Sequence, residues 1–247
     1  MDYTQQIVLF LIAVIANWFS ALAGGGAGLI QLPILIFLGL PFPLALATHK
    51  VATVALGVGA TLRHLREKHL DLAVLLLIVG AGVPGVIAGV HFILDVPERQ
   101  AEIALGLLTL ALALYSAVKP QLGLVALPQH RHWRGYALGA LVLLLIGFTN
   151  GALSAGSGLF VTLWLGFDYK AAVAQTLVAV GLGWNGSGAV AMSLAAPVQW
   201  SWIPALVLGS LLGGYLGAHS SILAGNNAIK RLFELVTLVV GLKLLWG

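Results

Sequence analysis

Apolar side chains form long uninterrupted stretches along this chain, and they do not alternate with polar ones. Runs of roughly 18 or more apolar residues are typical of helices that cross a membrane, whereas the strands of a membrane barrel alternate. The pattern therefore predicts an all-α, polytopic membrane protein. The apolar segments are residues 7–39, 43–62, 70–94, 100–118, 136–166, 171–194, 201–223 and 229–246.

Two of these segments, 7–39 and 136–166, are too long for one upright helix. At about 1.5 Å per residue the first would extend about 50 Å, against a hydrocarbon core of about 30 Å. Each contains a glycine cluster, and glycine disfavours the helix interior. We therefore expect each segment to form a pair of shorter helices, with breaks near Gly24–Gly28 and near Ser154–Gly158.

The two halves of the chain resemble each other. "GGGAGLIQLP" (24–33) aligns with "SAGSGLFVTL" (154–163), and "PLALATHKVA" (43–52) aligns with "KAAVAQTLVA" (170–179). "GVIAGVH" (85–91) aligns with "GGYLGAH" (213–219) in the same register. This similarity predicts a first transmembrane repeat over 1–118, a cytoplasmic linker over 119–135 and a second repeat over 136–247.

The positions of Lys and Arg predict the orientation of the repeats, because cytoplasmic loops carry an excess of these residues. If each half has about five membrane elements, the halves are inverted and both termini lie on the non-cytoplasmic side. Arg99 and Lys243 then lie outside, and Lys50 lies within the membrane. The cytoplasmic side holds Arg63, Arg66, Lys68, Lys119, Arg131, Arg134, Lys170, Lys230 and Arg231.

Composition agrees with a lipid environment. The 247 residues are 60% hydrophobic and 8% charged, against about 25% charged in a soluble domain. The net charge of +4 comes from residues in short loops, so we expect the lipid bilayer as a partner and no nucleic acid.

"FSALAG" (19–24) offers a cleavage-like site, but the preceding residues contain Asp2 and no Lys or Arg. We therefore expect an uncleaved first helix.

The breaks are the expected substrate site. In inverted-repeat carriers, helices interrupted at mid-membrane offer backbone N–H and C=O groups to a substrate, helped by positive helix N-termini. This reasoning singles out Gly25, Gly26 and Gly28 in the first half, with Ser154 and Ser157 in the second. The alternative is a tight hairpin that binds nothing.

A broader resemblance rests on the residues after the first break. "LP" (32–33), "LGLPFPLALATHKVA" (38–52) and the basic loop "RHLREKHLD" (63–71) resemble the TauE/SafE family of sulfite and organosulfonate exporters. The resemblance implies an inner-membrane carrier of small sulfur-containing or organic anions. The family pattern has Gly-Thr-Asn or Gly-Thr-Ser where this chain has Ala47, Thr48 and His49, so it does not identify the substrate.

Lys50 is the candidate charge for an anionic substrate, because a lysine within the membrane normally faces a cavity or a partner. The alternatives are that it reaches the outer interface, or that it pairs with Glu102 or Glu234. Other polar residues could contact substrate oxygens or only join helices to one another. These are Thr48, His49, Gln175 and Thr176, at equivalent places in the halves, and Asn17, Asn150, Ser154, Ser157 and Asn185.

His91 and His219 could relay protons, or could simply be packed histidines. The G-x-x-x-G motif before each is expected to pack helices together. Histidines of the basic loops lack metal-ligand spacing, and motifs of hydrolases, zinc proteases, P-loop proteins and dinucleotide sites do not occur. We therefore expect neither an enzyme nor a cofactor or metal.

The sequence thus predicts a secondary transporter with a small anionic substrate, bound by the breaks and the segments after them and not by the basic loops. A channel-like pore and a membrane protein without transport activity remain alternatives. The direction of transport, the coupling ion and the oligomeric state are left open.

Overall fold

The computed structural model describes residues 3–23, 28, 30–65, 70–118, 126–127, 130–154, 159–224 and 226–246, and the elements in these ranges are helices. The all-α prediction is confirmed. The α-helices are α1 Tyr3–Ala23, α2 Gln31–Phe37, α3 Phe42–His64, α4 Leu72–Ile93, α5 Glu98–Val118, α6 Trp133–Leu153, α7 Leu159–Trp164, α8 Tyr169–Val178, α9 Asn185–Ala195, α10 Ile203–Leu223 and α11 Asn226–Trp246. A π-helical turn, Ala179–Trp184, joins α8 to α9 in one continuous rod.

Within the described residues, seven helices are long and apolar enough to cross a membrane: α1, α3, α4, α5, α6, the rod from Tyr169 to Ala195, and α10. Helix α1 shows why they suit lipid. Ile7, Leu11 and Ile15 follow one another at helical spacing and are more than half exposed, whereas Ala13 and Ala16 are buried. A row of exposed isoleucine and leucine suits hydrocarbon, so the polytopic prediction holds.

Both predicted breaks are present. Helix α1 ends at Ala23 and α2 begins at Gln31, while α6 ends at Leu153 and α7 begins at Leu159. Ser154, which follows α6, has φ 53°, a left-handed conformation that stops a helix. Gly25, Gly26 and Ser157 lie outside the described residues.

Helix α6 begins earlier than the apolar pattern indicated. Its first residue, Trp133, lies within the predicted linker 119–135. The cause is a capping interaction, because the His132 ring accepts a hydrogen bond from the Gly135 backbone N–H at 2.9 Å. The hydrophobic pattern could not indicate this polar first turn.

Glycines bring two pairs of helices into close parallel contact. Along α10, Cβ atoms added at Gly213 and Gly217 would meet backbone atoms of α1, and those at Gly85 and Gly89 on α4 would meet the backbone of α6. These are the glycines of the two G-x-x-x-G motifs. Their role in helix packing is confirmed.

These contacts are reciprocal between the halves. Helix α4 of the first half packs on α6, which starts the second half, and α10 of the second half packs on α1, which starts the first. Helices α5 and α11, at corresponding places, also pack together. A two-fold relation between the halves would produce this arrangement, and the inverted repeat itself stays a prediction.

The two breaks meet each other inside the protein. A Cβ added at Gly28 would lie 1.7 Å from the carbonyl oxygen of Ser154 and 2.8 Å from its Cβ. Real Cβ atoms do not approach backbone oxygen so closely, so only glycine fits at this position. Ser154, which follows the last residue of α6, therefore contacts Gly28 of the first glycine motif directly.

The inverted topology can be tested by labelling single cysteines, because the chain has no cysteine of its own. Cysteines replacing Arg66 and Arg231 should react with an impermeant maleimide from the cytoplasmic side only. A cysteine replacing Trp246, which is 87% exposed, should react from the opposite side only. Labelling of positions 66 and 231 from different sides would contradict the inversion.

The contact between the breaks can be tested with Gly28→Ala. The added methyl group must displace the Ser154 carbonyl, and overpacking of this kind costs about 1–3 kcal/mol. We expect a lower melting temperature in detergent. Gly186→Ala is the matched control, because nothing lies within 4 Å of its added Cβ and alanine favours a helix. Equal effects of the two substitutions would refute the contact.

Candidate functional site

Lys50 lies on α3 and its side chain is completely buried. Its Nζ donates to the backbone oxygen of Asn150 at 2.7 Å and to the Asn150 Oδ1 at 2.8 Å. Gly188 of α9 leaves room for the stem, since a Cβ there would lie 3.1 Å from Lys50 Cδ. An ammonium group has three donors, so these two bonds with described residues use two of them.

The alternatives considered for Lys50 do not match its surroundings. Glu102 lies 3.1 Å from Arg99, and Glu234 lies 3.8 Å from Lys230, so both carboxylates have other cations. Along the described parts of the chain, no carboxylate oxygen lies within 4 Å of Lys50 Nζ. Its complete burial also excludes a position at the interface. What stabilises the charge is the carbonyl end of α6, where a helix dipole favours cations.

His49 belongs to a buried network of hydrogen-bonded side chains that extends to α2, α10 and α1. Its Nδ1 lies 3.2 Å from Gln31 Oε1, and Gln31 Nε2 donates to Ser210 Oγ at 3.3 Å. Asn17 Nδ2 donates to the same Ser210 oxygen at 3.0 Å. The network therefore links His49, which precedes Lys50, to Gln31, the first residue of α2 after the glycine break.

Gln31 and Ser210 were not singled out from the sequence. Gln31 is an amide in an otherwise apolar stretch directly after the break, which is a signal that could have drawn attention to it. Ser210 carries no comparable signal, because a serine within an apolar helix commonly bonds its own backbone. Its role depends on a contact across 179 residues of sequence.

Several buried polar atoms around the breaks have no hydrogen-bond partner within the described residues. They include Asn17 Oδ1, His49 Nε2, Ser154 Oγ and Thr176 Oγ1. A buried group without a partner costs about 1–3 kcal/mol, so native proteins keep few of them. His49 and Thr176 occupy equivalent places in the two halves. Unfilled groups of this kind are what a polar ligand would satisfy.

The other predicted site residues divide into two groups. The Thr48 hydroxyl is already hydrogen-bonded, since its Oγ1 donates to Leu44 O of its own helix at 2.7 Å and accepts from the N–H of Gln199, in the loop between α9 and α10, at 2.9 Å. Gln175 and Asn185 are buried in the rod packed against α3. Thr48 therefore joins α3 to the loop before α10, and its contact with a substrate stays a prediction.

The π-helical turn lies directly after the predicted polar pair Gln175 and Thr176. Its Gly181 meets Gly57 of α3 so closely that an added Cβ would lie 2.4 Å from the Gly57 Cα. Trp184 Nε1 donates to the Ile78 carbonyl of α4 at 2.8 Å. Such turns often occur at functional sites. Here it lets the rod pass α3 at backbone contact distance.

His91 and His219 lie away from the polar cluster that contains His49, Lys50, Gln31 and Ser210. Both rings are exposed, near the ends of α4 and α10. His91 Nδ1 lies 2.9 Å from the Ile87 carbonyl, and His219 Nδ1 accepts from Arg63 Nε at 3.1 Å. The structure does not bring them to the breaks.

Comparison with known proteins points to membrane transport. The family model described as "Sulfite exporter TauE/SafE" matches residues 9–244. A "Probable membrane transporter protein ORF9" from Sinorhizobium sp is 29% identical, over 96% of this chain and 91% of its own. A "Probable membrane transporter protein" from Haemophilus influenzae is 28% identical, over 97% of this chain and 94% of its own.

Another relative, "Probable membrane transporter protein YfcA" from Escherichia coli, is 26% identical over 97% of this chain and 89% of its own length. No solved structure matches the chain. The family match nevertheless covers both breaks, Lys50 and all the helices that surround them. The chain belongs to the TauE/SafE sulfite exporter family of membrane proteins.

Proposed function

We propose that this protein is a secondary transporter that exports small anions such as sulfite, organosulfonates or related sulfur-containing and organic acids. It lies in the inner membrane, with two inverted repeats and both termini on the non-cytoplasmic side. The substrate binds at a central site between the repeats. Its contacts come from both breaks and the segments after them, with Lys50 as the main fixed positive charge.

The observation that carries this proposal is the environment of the Lys50 ammonium group. Among the described residues, it is buried, it has no carboxylate within 4 Å, and its hydrogen bonds go to the two oxygens of Asn150. A buried charge without a counter-ion is costly, and an anionic ligand would remove that cost. The hydroxyls of Ser154 and Thr176, which have no hydrogen-bond partner among the described residues, can donate to its oxygens.

The burial of the cluster favours an alternating-access mechanism and argues against an open pore. Lys50, His49 and Gln31 are at most 1% exposed, so the conformation described is closed to both sides. A substrate could enter only if the helices around α3 moved. The contact of Gly28 with Ser154 and that of Gly57 with Gly181 join these helices by backbone surfaces that could separate.

The printed names of the relatives support transport, and the family description supports a sulfur oxyanion as substrate. The substituted positions 47–49, however, adjoin Lys50, so the substrate of this chain need not be sulfite. A carrier should show saturable flux in reconstituted vesicles. A pore would show flux that does not saturate, and a protein without transport activity would show none.

Replacement of Lys50 tests the proposal. At an effective dielectric of about 20, charges 4 Å apart interact by about 4 kcal/mol, and a quarter of this changes affinity about fivefold. Lys50→Met should therefore weaken binding of sulfite or methanesulfonate at least about fivefold and reduce their flux. Lys50→Arg should retain part of both, because it keeps the charge.

Lys243→Met is the matched control, because Lys243 is also a lysine on a membrane-length helix but is exposed. It should leave affinity and saturable flux unchanged. The comparison is made on monodisperse protein with unchanged helix content, since Lys50→Met also removes the donor to Asn150. Unchanged anion affinity in folded Lys50→Met protein would exclude Lys50 from the site.

A further inference from the structure

The ring of His49, the residue before Lys50 on α3, presents an unused hydrogen-bond acceptor. Gln31 Nε2 donates to Ser210 Oγ, so the atom that Gln31 turns toward His49 Nδ1 is its oxygen. That oxygen can only accept, so Nδ1 carries the ring proton and Nε2 carries a lone pair. Nε2 is buried and has no partner among the described residues.

The charged and titratable groups on the helices packed against α3 are engaged elsewhere. Glu98 of α5 accepts from the Phe42 N–H, and Glu102 pairs with Arg99. These groups lie at the start of α5, away from the breaks. Tyr169 of α8 lies 3.3 Å from Ser116 Oγ, Lys170 donates to the Ile222 carbonyl, and His219 of α10 accepts from Arg63. The remaining ones are the phenols of Tyr3 on α1, Tyr115 on α5 and Tyr215 on α10.

His49 and Lys50 are consequently the titratable pair at the cluster, and no described carboxylate lies within 4 Å of either. Without a bound anion, a proton on Nε2 would create two positive charges on consecutive buried residues. Lys50 alone balances a ligand with one negative charge. A ligand with two charges would leave the second uncompensated, and a buried uncompensated charge costs several kcal/mol.

We propose that His49 is a proton-coupling residue, so that an oxyanion with two negative charges binds together with one proton located between His49 Nε2 and an anion oxygen. This inference rests on the proposed function. The proton comes from the aqueous phase or arrives on the anion itself, and no other bond forms or breaks. The bound complex holds two positive charges, on Lys50 and His49, against two negative ones.

The consequence is a pH dependence that differs between anions. Sulfate keeps two charges and methanesulfonate one charge throughout the range from about pH 6 to 8, and both are tetrahedral and small. One proton taken up with sulfate means that its affinity falls as the pH rises, by up to about tenfold per pH unit. Methanesulfonate needs no added proton, so its affinity should stay constant.

The test is calorimetric titration of the full-length protein with each anion across this pH range, in two buffers that differ in heat of ionisation. For the unchanged protein we expect uptake of up to one proton per sulfate and none per methanesulfonate. His49→Gln should bind sulfate more weakly and without pH dependence, because its amide can donate but cannot titrate. Methanesulfonate affinity should remain within about threefold.

His130→Gln is the control, because that ring is exposed and stacks on Trp164 outside the cluster. It should keep the pH dependence of the unchanged protein. A pH dependence for sulfate that persists in His49→Gln, or an equal dependence for both anions, would overturn the role of His49 and leave that of Lys50 intact. Failure of both anions and of sulfite to bind would overturn the proposed function and this inference together.

Discussion

The Lys50 ammonium group is held at the carbonyl end of α6 by two oxygens of Asn150, in a region where the described residues bring no carboxylate within 4 Å. Burying a cation in this way costs free energy that a helix end offsets only in part. The arrangement requires α6 to end at Leu153, inside the protein, so that the Asn150 carbonyl in its last turn faces Lys50 of α3. The break and the charge therefore depend on each other.

Close approach of backbones makes this arrangement possible. Glycines let α10 lie against α1 and α4 against α6, while Gly28 admits the Ser154 carbonyl and Gly57 admits the π-helical turn. A methyl group at several of these positions would meet backbone atoms at less than 3.0 Å. In the alternating access that we propose, these are the surfaces that separate.

Much of the fold could be predicted from the sequence because lipid imposes a simple pattern. Segment lengths predicted the helices, and the length of 7–39 and 136–166 predicted their breaks. The burial of Lys50 followed from its position within an apolar run. The pairing with Glu102 or Glu234 was wrong as an alternative, since each acid has a cation one helical turn away.

The contacts that complete the site could not be predicted. Gln31 with Ser210, Lys50 with Asn150 and Gly28 with Ser154 each join residues more than 90 positions apart, so no local pattern reports them. The π-helical turn could not be predicted from the sequence for a different reason. A turn of this kind has the composition of an ordinary helix, and only the glycines at 181 and 183 distinguish it.

The central claim is that the meeting point of the two breaks holds an anion. Crystals soaked in selenate would locate such an anion directly, because selenium gives anomalous scattering. We expect a selenium peak within about 4 Å of both Lys50 Nζ and His49 Nε2, because the selenate oxygens between selenium and these nitrogens would then be in hydrogen-bonding range. A peak in the basic loop 63–69, with none at Lys50, would contradict it.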